Sequence, residues 1–175
     1  MQNSGMKNGQ NLPVADSRIK VLVVDDHPHT AHMLARAISR LGSNVDAIAA
    51  TSGDEAIRHA EEKIADILIT DQMMPEMTGL KLIETLSEKS LSPTVSFLLT
   101  AHDSEELRET ALQTNVKQVI SKPASPELVC EIVQQTMDEM NKLSSSEPKL
   151  DIEEITAMAS DMEPSTQVEI RSVER

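Results

Sequence analysis

Along the chain, short apolar runs alternate five times with segments whose apolar positions recur every three or four residues. "IKVLVV" precedes Thr30 to Leu41, where Met33, Leu34, Ala37, Ile38 and Leu41 form one stripe. "VDAIAA" precedes "TSGDEAIRHAEE", in which Ser52 and Glu55 stand at capping-box spacing. "DILIT" precedes Thr78 to Glu88, with Leu80, Leu82, Ile83 and Leu86 as its apolar positions. "TVSFLLT" precedes Ser104 to Gln113, and "KQVIS" precedes Pro126 to Met140, striped by Val129, Ile132, Val133, Met137 and Met140. The pattern predicts five strands alternating with five helices. The strands read as continuous rather than alternating apolar runs, which implies a parallel sheet covered on both faces. Right-handed crossovers then leave a doubly wound α/β fold as the simplest solution.

The pattern occupies residues 18–142. Residues 1–17 are polar and aperiodic and read as a flexible lead-in. From residue 143 to the end, eight acidic residues against three basic ones, two prolines and a serine run have the composition of a solvated tail. Within it, Ile152, Ile155, Ala159 and Met162 share a face if residues 151–162 are helical, as a docking helix would. A chain of 175 residues has room for one domain of about 120 to 150 residues with its own core. The formal charge of −13 argues against nucleic-acid partners, whose affinity is carried by Lys and Arg clusters. No apolar run approaches the ~20 residues of a spanning helix, and the first twenty residues lack the apolar centre of a secretory signal. The expectation is a cytoplasmic protein without membrane insertion. The single cysteine, Cys130, excludes an internal disulfide and reads as a small side chain on a helix.

In an open parallel sheet the ligand site lies beyond the carboxyl ends of the strands, where the winding reverses. The first strand ends in Asp25 and Asp26, the third in Asp71, the fourth in Thr100 and Ala101, the fifth in Ser121, Lys122 and Pro123. If strands one and three are neighbours, their terminal carboxylates lie about 5 Å apart. Three acids that close raise one another's pKa unless a cation joins them. All-oxygen donors suit Mg²⁺ that keeps several waters and a phosphoryl group. Thr100 offers a hydroxyl to a phosphoryl oxygen. Lys122 can cross about 10 Å of two strand spacings to add a point charge. Phosphoryl transfer needs alignment and charge neutralisation more than proton chemistry, so Asp71 itself is the candidate nucleophile, becoming an acyl phosphate. His27, His29 and His32 form H-x-H-x-x-H, which admits a transition-metal reading. Histidines opening a helix beside a hard-oxygen site explain them more simply.

"VLVVDDHP", "ILITDQMMPEMTG", "LLTAH" and "ISKP", in that order and spacing, resemble the receiver domain of two-component response regulators over residues 18–142. The resemblance implies a flavodoxin-like (βα)5 fold with strand order 2-1-3-4-5. It implies that Asp71 accepts phosphate from a phosphohistidine on a sensor histidine kinase or histidine phosphotransfer protein. The domain would promote its own phosphorylation and dephosphorylation and then switch a surface read by a downstream protein. Asp26, Asp71 and the backbone carbonyl of Met73 would be direct Mg²⁺ ligands, with Asp25 acting mainly through water. Thr100 would turn toward the phosphoryl group and Lys122 would pair with it. Pro75 and Gly79 would shape the loop after Asp71, and Lys122-Pro123 would be a cis peptide. Met73 and His102 would tune how fast water reaches the phosphate. Relatives usually carry Tyr or Phe where Val119 stands, as partner to the threonine in the switch. Here the loop after Thr100 and the exposed face of the fourth helix are the expected output. An aspartyl phosphatase of the dehalogenase type needs a second acid where Met73 stands. A flavodoxin needs a Ser/Thr/Gly phosphate loop and aromatic rings, which "DDHPHT" and a chain without Trp or Tyr do not supply.

Overall fold

The structure, a computed structural model, describes residues 18–145; the expected lead-in, the acidic tail after Ser145 and the helix at 151–162 lie outside the described residues. Ten elements alternate. They are β1 (Ile19–Val24), α1 (Pro28–Ile38), β2 (Val45–Ala50), α2 (Gly53–Glu62), β3 (Ile67–Asp71), α3 (Gly79–Glu88), β4 (Val95–Thr100), α4 (Glu105–Gln113), β5 (Val116–Ser121) and α5 (Pro126–Ser145). All strand pairs are parallel, in the order β2-β1-β3-β4-β5. The fold class is as the sequence predicts, a flavodoxin-like doubly wound sheet. No helix among the described residues is long and apolar enough to cross a membrane.

The three central strands explain the unbroken apolar runs. Residues 21–24, 67–69 and 97–99 are almost wholly inaccessible because helices cover both faces of the sheet. β5 is an edge, and Lys117, Gln118 and Ser121 face outward from it. Short polar caps start the helices. Ser52, Thr78 and Ser104 each accept the amide of the third residue on, at 3.2 Å. Glu55 completes its box one residue earlier than expected, since its carboxylate accepts the N–H of Thr51 rather than that of Ser52. The stripe of α1 also differs from the expected one. Ala31, Leu34, Ala35 and Ile38 are buried, while Met33 is 38% exposed and Leu41 lies past the helix end. The helix begins at Pro28, at its first turn, and two small alanines rather than Met33 meet the sheet. One charged residue is part of the frame. Lys20, on β1, is buried and donates its ammonium to the carbonyls of His59 and Lys63, satisfying the C-terminal end of α2. Cys130 is half-buried on α5, and burial together with the Glu127 charge pushes its thiol pKa up, as suits an unreactive side chain. One compact unit closes at Asp138, within α5.

Candidate functional site

The register fixes which side chains meet. Val24 pairs with Thr70, so the residues that follow, Asp25 and Asp71, emerge side by side at the carboxyl edge. Thr100 pairs with Ser121, which places Lys122 immediately beyond the same edge. Asp25, Asp71 and Thr100 are buried, Asp26 is half-buried, and the Lys122 side chain is 26% exposed. Such burial is costly for carboxylates without a cation. Lys122 supplies one: its Nζ lies 2.9 Å from Asp25 Oδ2 and 2.9 Å from Asp71 Oδ2. Burial alone lowers the ammonium's pKa, but the hydrogen bonds to Asp25 and Asp71 outweigh it and the net shift is upward. The backbone N–H of Lys122 donates to the Thr100 carbonyl at 2.7 Å, and Lys122-Pro123 is cis, as expected.

Asp26 and His27 complete the acidic corner. His27 Nδ1 lies 3.0 Å from Asp26 Oδ1 and 3.3 Å from Asp25 Oδ1, and the His27 amide donates to Asp25 Oδ1 at 2.9 Å. Asp25, Asp26 and His27 can bring one donor atom each within 4.8 Å of one another. His29 and His32 stand exposed on α1 and do not join this group. Asp71 stands on the other side of Asp25, the two carboxylates sharing the Lys122 ammonium. With Asp25 and Asp71 sharing one ammonium and Asp26 beside them against His27, the corner offers an excess of carboxylate oxygens that a hard divalent cation fits.

The loop after Asp71 is tied back at both ends. Gln72 donates its amide to the Leu99 carbonyl at 2.8 Å. Its own carbonyl accepts from Gly79 N–H at 3.1 Å, and its side-chain oxygen accepts from Leu80 N–H at 3.1 Å. Met73 donates its amide to Asp71 Oδ1 at 3.3 Å, while its side chain is 61% exposed. Gln72 was not legible as a site residue, since nothing about a glutamine after an aspartate marks it as a loop closure. Gly79 is required by space. A Cβ there would stand 2.5 Å from the Asp71 carbonyl oxygen and 2.7 Å from Leu98 Cδ1. Gly79→Ala is therefore expected to destabilise the fold by about 1–3 kcal/mol, since the strand carrying Asp71 has to yield. Urea unfolding checks this, and an unchanged midpoint would remove the packing role.

The Thr100 hydroxyl is engaged by the backbone of the following loop. It donates to the His102 carbonyl at 3.2 Å and accepts from the His102 amide at 3.1 Å. Met73 and His102 flank a cleft of about 300 Å³ that also touches Gln72, Thr100 and Leu107. Val119 is half-buried opposite Leu98, beside a groove of about 480 Å³ between α4 and β5. A polar bridge that the sequence did not disclose joins this region. Asp103 Oδ1 and Oδ2 accept from Arg108 Nε at 2.7 Å and Nη2 at 2.5 Å, and Ser121 Oγ donates to Oδ2 at 2.6 Å. The bonds from Arg108 and Ser121 hold the Asp103 carboxyl down at a pKa of about 2.

A doubly wound sheet with paired acids, a threonine and a lysine at its switch point defines an α/β domain whose polar site lies at the carboxyl edge of the sheet. Residues 21–134 match the model of the response regulator receiver domain, and the chain belongs to that family. It is 32% identical over 120 residues to an uncharacterized 14.6 kDa protein in the sodA1 3′ region of Leptolyngbya boryana, covering 68% of this chain and 90% of that one. It is 32% identical over 107 residues to the alkaline phosphatase synthesis transcriptional regulatory protein PhoP of Bacillus subtilis, covering 61% of this chain but 43% of that protein. Among solved structures, Vibrio cholerae chemotaxis protein CheY4 superposes with a TM-score of 0.61 at 28% identity, covering 67% of this chain and 98% of that one. The Francisella response regulator 1452 receiver domain gives 0.62 at 25%, covering 70% and 99%.

Proposed function

We propose that this chain is a phosphoacceptor receiver in a histidine-to-aspartate relay, with Asp71 as the residue that takes the phosphoryl group. The observation that carries it is the Lys122 ammonium 2.9 Å from carboxylate oxygens of both Asp25 and Asp71, at the buried switch point of the sheet. An Asp71 oxygen attacks the phosphorus of a partner's phosphohistidine. The P–N bond breaks, its electron pair returns to the imidazole, which is protonated, and Asp71 becomes an acyl phosphate. Asp26, Asp71 and the Met73 carbonyl would hold Mg²⁺, with Asp25 through water, and the ion supplies charge neutralisation at the phosphoryl oxygens. Lys122 exchanges part of its carboxylate pairing for a phosphoryl oxygen, and Thr100 turns from His102 to another. Met73 and His102, at the cleft beside Asp71, set water's access and so the lifetime of the phosphate. Chain relatives support the partner class: a hybrid signal transduction histidine kinase D of Dictyostelium discoideum and the sensor protein EvgS of Escherichia coli.

The receiver unit is residues 18–142, working in the cytoplasm, and a downstream protein reads the face made by α4, β5 and α5. Phosphorylation biases two surface shapes, and a tenfold preference of that protein for one of them corresponds to ~1.4 kcal/mol of coupling. Incubation of the full chain with ³²P-acetyl phosphate is the test. The expected result is Mg²⁺-dependent label that is lost in EDTA and released by hydroxylamine, as an acyl phosphate is. Label that ignores Mg²⁺, or survives hydroxylamine, would count against the assignment.

A further inference from the structure

α4 is the loosest helix around the sheet. It buries a single side chain, Ala111, and its Leu112 is 78% exposed. Open space lies on both sides of it, the 300 Å³ cleft toward Met73 and the 480 Å³ groove toward Val119. With so little apolar burial, polar contacts have to fix the start of this helix and the loop before it. Ser104 caps the helix locally by accepting the Leu107 amide, and the contacts that tie this loop to another element are those of Asp103. Its carboxylate accepts both Arg108 nitrogens, from within α4, and the Ser121 hydroxyl, from the end of β5. Ser121 is opposite Thr100 in the sheet and adjacent in sequence to Lys122, whose amide bonds the Thr100 carbonyl. One carboxylate therefore joins the loop that follows Thr100 to the strand end that carries Lys122.

We propose that Asp103 is a positioning residue of the phosphoacceptor site, clasping Arg108 and Ser121 so that the β4–α4 loop holds Thr100 on the His102 backbone until phosphoryl binding releases it. This rests on the phosphoacceptor function of Asp71. To donate to a phosphoryl oxygen, the Thr100 hydroxyl has to give up the His102 carbonyl, which frees the loop only as far as the clasp lets it move. Part of the free energy of phosphoryl binding is spent on that release, so weakening the clasp strengthens binding. The carboxylate of Asp103 is ionised at any physiological pH, so the clasp is present throughout the working range.

The test is a beryllofluoride titration of the full chain in saturating Mg²⁺, followed by the amide signals of residues 100–108. Asp103→Asn and Ser121→Ala are each expected to bind about fivefold more tightly than the unaltered chain, the low end of site-to-site couplings. Their double variant should gain little beyond either one, because both loosen the same contact. Arg108→Gln, which leaves Asp103 in place, should shift in the same direction. A mere loss of structure would weaken binding or leave it alone, and would lower the urea midpoint in step. Affinities in all three variants within about twofold of the unaltered chain, or weaker, would overturn the clasp while leaving Asp71 as the acceptor. An unaltered chain that ignores beryllofluoride and Mg²⁺ would instead sink the phosphoacceptor function, and the clasp's role with it.

Discussion

Asp71→Asn is expected to take up no phosphoryl group from acetyl phosphate, while Asp138→Asn, on the exposed face of α5, labels as the unaltered chain does. The amide is nearly isosteric with the carboxylate but lacks the nucleophilic oxygen, so removing it removes the covalent step itself. Label should fall by more than about 100-fold, the scale on which loss of a covalent nucleophile is read. The fold should survive, because the amide oxygen still accepts from the Lys122 ammonium, whose second bond to Asp25 is untouched. A urea midpoint close to that of the unaltered chain, together with absent label, identifies a chemical rather than a structural loss. Equal labelling of the two variants would move the acceptor to another residue.

How much of this was readable in advance follows from the range of each interaction. The strands were legible because burial on both faces forces a signal that survives without knowing any partner. The carboxyl-edge residues Asp25, Asp26, Asp71, Thr100 and Lys122 were legible for a topological reason, since a doubly wound sheet puts strand ends together whatever the side chains do. The α1 stripe was misread because Met33 is more apolar than Ala31 and Ala35, yet against a sheet the small residues allow the closer approach. Side-chain pairings of distant residues were not legible. Lys122 spends its charge on Asp25, 97 residues away, and Ser121 reaches Asp103 across 18. Thr100 carries the opposite lesson: its position was legible but its hydrogen bonds to His102 depend on a local rotamer that no spacing encodes.

Lys122→Met should separate the two duties of this lysine by moving two observables in opposite directions. Methionine keeps much of the stem and removes the charge, leaving the buried carboxylates of Asp25 and Asp71 without the ammonium that lies 2.9 Å from each. Breaking a buried pair in this way costs about 3 kcal/mol in the absence of a metal. Mg²⁺ should then bind the resting protein about tenfold more tightly or better, since a positive charge that competed with it is gone. Phosphoryl uptake should nonetheless fall steeply, because the charge that would meet the transferred group is missing at the moment it is needed. The pH dependence follows from the sign of the shift. A lysine raised above its ordinary value of 10.5 contributes fully below that pH and loses its contribution only as the pH rises through the folded value. The stability gap between the unaltered chain and Lys122→Met is therefore expected to stay constant from about pH 6 to 9 and to close in stronger alkali. Urea unfolding across that range, paired with Mg²⁺ titration at neutral pH, checks both. If Mg²⁺ bound more weakly to Lys122→Met, the lysine would be acting as a scaffold for the acids rather than as their counter-charge.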